Sequence, residues 1–447
     1  MRKDPVMLLG SMRRIALTTL LLVQLGPSPA LGDRRVTLAG EWSCRLDPNQ
    51  EGEKQAWFKQ DLGGRAQLPG STDENRLGEL NRDGDRYNHL SRVHKYIGQA
   101  WYQREFEVPP SWQNQNVVLF LERCHWRTTV WIDGQLAGSR ESLCVPHEYD
   151  LSDLLRPGKH RLTIRVDNTP KHFLGPFASS ISEETQTNWN GIIGRIELQV
   201  RDRVWIDSVQ VRPHVDRKEA EIELRIGNDT GGNVAVELTL RASNADLPDA
   251  AKRSIAFKTE HARTKLTVRL PMSDNIRSWD EFVPTLYTLK TELKGTGADD
   301  KYTDVDETIF GFRDLKVQDK RFVLNGNPIF LRGTLECCIF PLTGYPPTDR
   351  ASWDRIIGIC KSYGLNHMRF HSWCPPEAAS AAADEAGFFI QAEAPRANVG
   401  TDVARDKFIQ EEAIRIVDTY GNHPSFILMS MGNELSVSDD VLGSLLK

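Results

Sequence analysis

The spacing of hydrophobic and polar residues changes once along the chain, near Gly326. Before this residue, short stretches rich in β-branched and aromatic residues alternate apolar and polar positions, which predicts strands with one buried face. After it, short apolar runs alternate with longer segments whose apolar residues fall on one helical face. The change therefore predicts β-sandwiches followed by parallel β/α units.

Two β-rich regions precede the change. In the first, from about Val36 to Val200, strands are predicted at residues 101–108, 117–122, 128–132 and 161–166. Turn signals between them favour a β-sandwich. In the second, from about Arg203 to Arg313, strands are predicted at residues 220–226, 233–241, 264–270, 286–293 and 302–309. This number of strands in about a hundred residues is typical of an immunoglobulin-like sandwich.

The last region predicts alternating strands and helices. Strands are predicted at residues 329–331, 365–370, 388–392 and 426–430, and helices at residues 349–363, 377–386 and 403–420. In the third helix one face carries Ile409, Ala413, Ile416, Val417 and Tyr420. Left-handed caps are expected at Gly364, Gly387 and Gly421. A closed barrel needs eight strands, so the four predicted here indicate half of one. The expected domains are 33–202, 203–313 and 314–447, after a signal peptide at 1–32.

The composition is that of an ordinary globular protein, with 39% hydrophobic residues and a formal net charge of −5 over 447 residues. The lack of a basic excess argues against nucleic acid as a partner. Basic residues up to Arg14 precede an apolar stretch from Ile15 to Leu25 and small residues near Ala30. This order predicts a secretory signal and a secreted or periplasmic protein. The stretch is shorter than the about 20 residues of a membrane span, so none is expected.

Seven cysteines, an odd number without a Cys-x-x-Cys pair, predict neither a disulfide scaffold nor a zinc site. Most of these thiols are expected to behave as small buried hydrophobic groups. No cofactor and no metal ligands are predicted, and the need for a structural or assisting metal ion stays open.

The sequence NHPSFILMSMGNE, residues 422–434, indicates a chemistry. Its apolar run predicts a buried strand of a parallel sheet. Gly432 lets the chain turn, and Asn433 and Glu434 follow at the carboxyl end of the strand, where β/α barrels form active sites. A carboxyl group half enclosed by apolar walls there would have a raised pKa, as a general acid requires. A glutamate at a strand end is also common in loops and helix starts, so the dipeptide alone leaves both interpretations open.

Segments of all three regions resemble glycoside hydrolase family 2, the family of β-galactosidases, β-glucuronidases and β-mannosidases. The resemblance rests on the order and spacing of these segments rather than on any one of them. They are residues 101–104, 130–134, 150–152, 166–168, 284–287, 310–313, 324–329 and 331–333. The resemblance implies a multidomain protein with a galactose-binding-like jelly-roll sandwich, an immunoglobulin-like sandwich and the first half of a (β/α)8 TIM barrel.

The motifs of the family's barrel match this sequence at single positions. Arg369 and His371 match an arginine that orients the catalytic carboxylates and a histidine that lines the sugar pocket. Glu393 matches an active-site glutamate at the end of the third strand. Asn433 matches the asparagine that contacts the sugar 2-hydroxyl, and Glu434 matches the general acid/base. Without the resemblance, His371 would be interpreted as a structural histidine at a strand end.

The resemblance implies retaining hydrolysis by two carboxyl groups about 5–5.5 Å apart. Glu434 would protonate the leaving oxygen and later deprotonate water, whereas no residue of this chain is assigned as the nucleophile, which the family places at its seventh strand. Met429, Ala392 and residues 334–337 depart from the family pattern. The sugar therefore stays open among galactose, glucuronic acid and other β-linked sugars.

The leading hypothesis is the amino-terminal part of a secreted β-glycosidase with an oligo- or polysaccharide substrate. One alternative is a non-catalytic carbohydrate-binding protein, in which Trp101, Trp131 and Trp189 would stack on sugar rings, although most aromatic residues in sandwiches are core residues. A second alternative is an inactive fragment, or a protein whose missing half-barrel lies on another chain. Each of these is compatible with a homo-oligomer.

Overall fold

The first region consists of two antiparallel sheets that face each other across a shared hydrophobic core. The computed structural model describes residues 34–82, 92–179, 181–185, 188–260, 262–298, 300–436 and 443, so the predicted signal peptide lies outside the described residues. The described residues from Arg35 onward belong to one compact unit. The strands are β1 (Arg35–Thr37), β2 (Gly40–Asp47), β3 (Gly64–Leu68), β4 (Gly70–Ser71), β5 (Glu79–Leu80), β6 (His94–Lys95), β7 (Gln99–Val108), β8 (Asn116–His125), β9 (Arg127–Ile132), β10 (Gln135–Glu141), β11 (His147–Asp150), β12 (Gly158–Asp167) and β13 (Gly191–Arg201).

One of these sheets has the order β1-β13-β8-β11, with β4 paired to β13, and the other has the order β10-β9-β12-β7-β2-β3. The strands β5 and β6 pair with each other, and two short 3-10 helices lie at Trp57–Lys59 and Pro110–Trp112. The four strands predicted from period-two alternation lie within β7, β8, β9 and β12, which confirms them.

The second region also has two antiparallel sheets around one core. Its strands are β14 (Val204–His214), β15 (Glu219–Asn228), β16 (Val234–Ser243), β17 (Ala251–Thr259), β18 (Arg263–Pro271), β19 (Tyr287–Thr296) and β20 (Lys301–Phe310). The sheet orders are β14-β15-β18 and β17-β16-β19-β20. All five predicted strands of this region are present, because strict alternation along them buries one face and exposes the other.

The third region opens with a small antiparallel sheet of β21 (Leu315–Gln318), β22 (Arg321–Leu324) and β23 (Asn327–Ile329). The prediction of a parallel strand at residues 329–331 was therefore wrong. Asn325 and Gly326 have φ of 50° and 82°, and an Asn-Gly pair with positive φ is a hairpin turn. The chain consequently folds β23 back onto β22, and the parallel sheet starts only at Gly333.

The parallel sheet has the order β24-β25-β26-β27. Its elements are β24 (Gly333–Glu336), α1 (Arg350–Ser362), β25 (His367–Phe370), α2 (Glu377–Ala386), β26 (Phe389–Glu393), α3 (Val403–Tyr420) and β27 (Phe426–Ser430). The sheet was expected to bury β27, but all five of its residues are only half-buried, because β27 is an edge strand among the described residues. Closure into a barrel and the exact domain boundaries stay predictions.

The three predicted helices are present, with some corrections at their ends and faces. Gly387 has a φ of 62° and caps α2 in the left-handed conformation, as expected. Gly421 has a φ of −64°, so the left-handed cap predicted there was wrong. Val417 is 46% exposed, whereas Ile416 beside it is fully buried. Successive residues of an α-helix are about 100° apart around its axis, so Val417 faces away from the sheet although Ile416 faces it.

The first region is fixed to the parallel sheet by buried polar contacts as well as by a shared core. Glu412 of α3 is fully buried and accepts hydrogen bonds from the backbone N–H groups of Leu143 and Cys144, both at 2.8 Å. Arg123 of β8 donates to the carbonyl oxygen of Cys374 at 2.8 Å. Removing one partner from such contacts leaves a buried polar group unsatisfied, so these contacts hold the first region in a defined position over the sheet.

Candidate functional site

The four residues predicted at neighbouring strand ends lie together at the carboxyl ends of the parallel strands. Arg369 lies in β25 and Glu393 ends β26, while Asn433 and Glu434 follow β27. Arg369 Nε donates to Glu393 Oε1 at 2.6 Å, and its Nη2 donates to Asn433 Oδ1 at 2.7 Å. The guanidinium group therefore joins the ends of three strands into one polar cluster, because its planar donors reach two acceptors at once.

Glu393 is the most enclosed member of this cluster, with no exposed surface. Its Oε1 is bound by Arg369, and its Oε2 accepts the backbone N–H of Ser372 at 2.8 Å. A buried carboxylate needs such partners. Since both oxygens are occupied, the geometry suits Glu393 to fixing Arg369 rather than to exchanging protons with a ligand.

The turn after β27 depends on glycine, as the sequence predicted. Gly432 has a φ of 131°, and a Cβ at this position would lie 2.6 Å from the carbonyl oxygen of Arg396. Asn433 N–H donates to that same carbonyl at 2.9 Å. The backbone around Asn433 is thereby fixed, and its side-chain Oδ1 is occupied by Arg369. The amide Nδ2 remains as the donor of this side chain.

Glu434 differs from its predicted surroundings. Its side chain is exposed rather than half enclosed by apolar walls, since β27 is an edge strand among the described residues. Its φ is 47°, in the left-handed region, which a non-glycine residue adopts only at some cost. The Oε2 atom accepts a hydrogen bond from Asn398 Nδ2. The loop after β26 therefore holds the carboxylate at the edge of the cluster.

His371 lies beside the cluster in a half-buried position. Its Nδ1 is 2.9 Å from Ser179 Oγ and 3.2 Å from Ser372 Oγ. Ser179 carries no signal for this contact in the sequence, because it belongs to the first region and precedes His371 by 192 positions. No sequence motif relates a serine to a histidine that is so far away along the chain.

Two further residues at this edge were seen in the sequence only as departures from a family pattern. Glu336 ends β24, and burial raises its pKa to about 7 against the opposing effect of the N–H groups of Cys338 and Ile339. Cys337 follows it, in hydrogen-bond contact with the hydroxyl of Ser179, and burial raises the pKa of its thiol. Burial therefore shifts both the carboxyl group and the thiol at the end of the first strand of the sheet toward their neutral forms.

The tryptophans proposed for sugar stacking are core residues. Trp101, Trp131 and Trp189 are 0%, 3% and 1% exposed. Trp101 stacks on Trp131 at 5.0 Å between ring centroids, and Trp189 stacks on His125 at 4.1 Å. Their faces cannot receive a sugar ring, so the prediction of a stacking surface on these residues was wrong.

Within the described part of the chain, no group of three or more histidine, cysteine, aspartate or glutamate residues is arranged to hold a metal ion. None of the described helices has the length and apolar character of a membrane span. The seven cysteines are free thiols, and five of them are buried, as expected for small hydrophobic side chains.

Family models match the two β-rich regions. Residues 36–200 match the sugar binding domain of glycosyl hydrolases family 2, and residues 204–313 match a further domain of glycosyl hydrolases family 2. The two matches together cover more than half of the chain.

Curated relatives match over longer stretches. The chain is 24% identical over 364 residues to the β-galactosidase large subunit of Latilactobacillus sakei, covering 74% of the chain and 53% of the relative. It is 23% identical over 434 residues to a β-glucuronidase of Paenibacillus borealis, covering 90% of the chain and 68% of the relative. The chain thus spans about half of the first relative and two thirds of the second.

Among solved structures, a β-glucuronidase of Bacteroides uniformis superimposes with a TM-score of 0.73 at 18% identity. The match covers 92% of this chain and 49% of that one. At this identity the likeness is one of fold.

Proposed function

Because the chain belongs to glycosyl hydrolases family 2, we propose that it carries the general acid/base of a retaining β-glycosidase. The proposed substrate is an oligo- or polysaccharide with a β-linked sugar, of the galactoside or glucuronide class named for the relatives. The observation that carries the proposal is the cluster of Arg369, Glu393 and Asn433 with Glu434 at its edge.

The hydrogen bonds of this cluster support a distinct proposed role for each of its members. Glu393, with both oxygens bound, positions Arg369. Arg369 in turn fixes Oδ1 of Asn433, so that Nδ2 is directed as a donor to a sugar hydroxyl, by the family match the 2-hydroxyl. His371 lines the same pocket. These interactions orient the sugar ring relative to Glu434, and orientation of this kind contributes a large part of the rate of a glycosidase.

Glu434 is the proposed proton carrier. In the first step its carboxyl group gives a proton to the leaving glycosidic oxygen as the second carboxylate bonds to the anomeric carbon. In the second step Glu434 takes a proton from water, which displaces that carboxylate and releases the sugar with its original configuration. In a closed barrel Glu434 would lie at the open carboxyl end of the strands, where both the leaving group and water can reach it.

Two further parts of the proposal follow from the same resemblance, and a third follows from the residues before position 33. The four parallel strands form the first half of a (β/α)8 barrel, with the jelly-roll and immunoglobulin-like sandwiches before it. The nucleophile is a glutamate at the seventh strand of that barrel in a longer protein. The basic and apolar residues before residue 33 direct the enzyme to the periplasm or the outside of the cell.

The substitution Glu434→Gln in the full-length enzyme tests the central role. Glutamine keeps the size of the side chain but cannot transfer a proton, so kcat on methyl β-galactoside and methyl β-glucuronide should fall about 10²- to 10⁴-fold. Glu411→Gln, on the exposed face of α3, is the matched control and should leave kcat unchanged. These substrates have poor leaving groups, so an unchanged rate for Glu434→Gln would contradict the assignment. NMR of the anomer that forms first tests whether the configuration of the sugar is retained.

A further inference from the structure

Trp112 differs from the other tryptophans of the chain. The structure describes all eleven tryptophans, and ten of them are buried. Trp112, in the short 3-10 helix between β7 and β8, is half-buried. It packs against the core of the first sandwich and also lines a cleft, and its indole N–H has no hydrogen-bond partner among the described residues. Trp112 therefore combines a fixed apolar ring with a free donor.

The cleft lies between the two sandwiches and has a volume of about 770 Å³. Its lining comes mainly from the segments at residues 112–117, 150–157 and 228–231, and we call it the seam cleft. Ligand pockets commonly measure about 300–1,000 Å³ and often lie between domains. None of the residues of the strand-end cluster lines the seam cleft, so a ligand there would not occupy the candidate site already described.

Asn116, at the start of β8, supplies a buried polar group to the seam cleft. It is 3% exposed and lines the cleft. Its Nδ2 donates to Asp229 Oδ2 at 3.2 Å and to the carbonyl oxygen of Asp202 at 3.5 Å. Because two acceptors fix the orientation of the amide, Oδ1 is the atom left without a partner among the described residues. A buried acceptor calls for a hydrogen bond, which a hydroxyl group of a ligand in the cleft can donate.

Three more carboxamide side chains extend this polar lining. Gln113, Asn114 and Gln115 follow Trp112 directly and line the seam cleft. Their side chains form no hydrogen bond with any described residue. Each carboxamide offers donors and an acceptor, which match a hydroxyl group that both donates and accepts. An aromatic ring beside several such groups suits a sugar, whose ring carries an apolar C–H face and a rim of hydroxyl groups.

The charges of the seam cleft distinguish between classes of sugar. Three aspartates and two arginines line it, namely Asp150, Asp153, Asp229, Arg156 and Arg203. Both guanidinium groups already donate to backbone carbonyl groups close by. Since the carboxylates outnumber the guanidinium groups, an anionic sugar is disfavoured and a neutral one fits.

We propose that the seam cleft is a saccharide-binding site for neutral oligosaccharides. One pyranose ring packs on Trp112, and one of its hydroxyl groups donates to Oδ1 of Asn116. The carboxamides of residues 113–115 bind further hydroxyl groups. This site goes beyond the proposed function, because it holds a saccharide chain without cleaving it and does not depend on Glu434.

Calorimetric titration of the 447-residue protein with three neutral tetrasaccharides tests the site. The probes are β-1,4-galactotetraose, cellotetraose and β-1,4-mannotetraose. At least one should bind with a dissociation constant of about 1 mM or below, and tetragalacturonic acid should bind about tenfold more weakly than this probe. If none of the three bound, or if the acidic probe bound as tightly, the proposal would be overturned.

Substitutions at the cleft then locate the binding. Trp112→Ala should weaken it about tenfold, whereas Trp112→Phe, which keeps an aromatic ring, should stay within about twofold. Gln113→Ala, at an exposed residue without bonds to lose, should weaken it severalfold even if Trp112→Ala disturbs the fold. Phe282→Ala is the matched control, because Phe282 is an aromatic residue of the second sandwich that is 82% exposed and lies outside the cleft. Equal effects of Gln113→Ala and Phe282→Ala would contradict the assignment.

Iodide quenching of tryptophan fluorescence gives a second measure of position. Since ten tryptophans are buried, iodide should quench mainly Trp112, and the tetrasaccharide that binds should reduce this quenching. Binding that leaves the quenching unchanged would place the sugar elsewhere and overturn the inference.

Titration with D-glucaro-1,5-lactone, a probe for the strand-end cluster, separates this inference from the proposed function. Arg369→Met should leave the affinity for the tetrasaccharide unchanged, and Trp112→Ala should leave the affinity for the lactone unchanged. Tetrasaccharide binding that is lost in Arg369→Met and kept in Trp112→Ala would assign the sugar to the strand ends and refute the seam site. Failure of the lactone alone to bind would count against the proposed function, and the seam site would stand.

Discussion

The two ends of the parallel sheet each hold a buried carboxylate, and they hold it in similar ways. At the carboxyl ends of the strands, Glu393 is bound by Arg369 at 2.6 Å and by the N–H of Ser372 at 2.8 Å. Beside the amino ends, Asp384 of α2 lies 2.6 Å from Nδ1 of His423 and accepts the N–H of Ser425 at 3.0 Å. Each carboxylate thus has one cationic partner and one backbone donor.

The two networks differ in the polar groups that they leave without a hydrogen-bond partner. His423 uses both ring nitrogens, since Nε2 lies 3.1 Å from Glu377. Burial opposes a positive charge there, but the hydrogen bonds to Asp384 and Glu377 raise the pKa of His423 to about 10. Both nitrogens of His423 and both carboxylate oxygens of Asp384 are thus occupied within the network, which is typical of a structural ion pair.

The network at the carboxyl ends keeps unused groups and strained backbone. The amide Nδ2 of Asn433 and the Nε2 of His371 have no hydrogen-bond partner among the described residues. Left-handed φ values occur at three non-glycine residues around the cluster, Ser372, Asn398 and Glu434. Such strain persists where the surroundings enforce it, and it gathers at functional sites. The comparison teaches that a buried ion pair can serve only to stabilise the fold at one end of the sheet, whereas at the other end a similar pair leaves neighbouring polar groups available to a ligand.

Asp384→Asn, which disrupts the ion pair beside the amino ends of the strands, should have the largest effect on stability. The substitution leaves the buried His423 cation with a weaker partner and should lower the free energy of unfolding by about 3 kcal/mol. The stabilisation by the raised pKa of His423 is complete below pH 6.5 and is lost as the pH rises toward 10. Urea unfolding between pH 6 and about 10 should therefore show a difference that shrinks with rising pH.

Glu377→Gln is the control for this effect. Its side chain is 48% exposed, so the loss should be smaller than for Asp384→Asn. The comparison between the two ends also requires that the Asp384→Asn protein bind D-glucaro-1,5-lactone as tightly as the unmodified protein does. Arg369→Met should instead weaken binding about a hundredfold, the cost of a lost charged hydrogen bond. Equal weakening by the two substitutions would remove the distinction between the ends.

Glu336→Gln should sharpen the comparison with a smaller effect at the carboxyl ends. Burial raises the pKa of Glu336 to about 7, so its stabilising contribution is present below pH 4.5 and is lost as the pH rises through 7. This shift corresponds to at most about 3 kcal/mol, and partial solvent exposure of Glu336 reduces it, so the unmodified protein should lose about 2 kcal/mol of stability over this window relative to the glutamine variant. Thermal unfolding from pH 4.5 to about 8 measures the slope.

The control for Glu336→Gln is Glu411→Gln on the exposed face of α3, which should keep the slope of the unmodified protein. If Glu336→Gln kept that slope as well, the carboxyl group of Glu336 would not be the source of the pH dependence. The window of Glu336 closes near the pH at which the contribution of His423 starts to decline, so the two ends of the sheet can be titrated separately.

Local periodicity was enough to predict much of the fold. The helices α2 and α3 and the strand β27 begin and end where the pattern placed them, because caps and apolar spacing act over a few residues. The hairpin of β22 and β23 was missed although Asn325 and Gly326 carry its signal. The short apolar run at residues 329–331 instead predicts a strand of the following sheet.

The candidate site was predictable only where it lies on the strands. Arg369, Glu393 and Asn433 come together because parallel strands bring their carboxyl ends to one edge, a rule that the sequence pattern can use. Ser179 was not predictable, because its contact with His371 depends on how a sandwich 192 positions earlier is packed. The exposure of Glu434 likewise depends on which strands lie beside β27.

Alkylation of Cys337 offers the smallest and most local test of the site. Cys337 directly follows β24, and the neighbouring strand β25 carries Arg369, so this thiol lies beside the cluster. Its pKa is raised by burial, so iodoacetamide should react slowly, and a saturating lactone should slow the reaction severalfold further. Cys360 of α1 is half-buried too and outside the cluster, which makes it the internal control in peptide mass spectrometry. Protection of Cys337 alone would locate the sugar beside Arg369. Equal protection of both thiols would mean that the lactone stabilises the whole sheet, which would contradict binding of the sugar at the carboxyl ends of the strands.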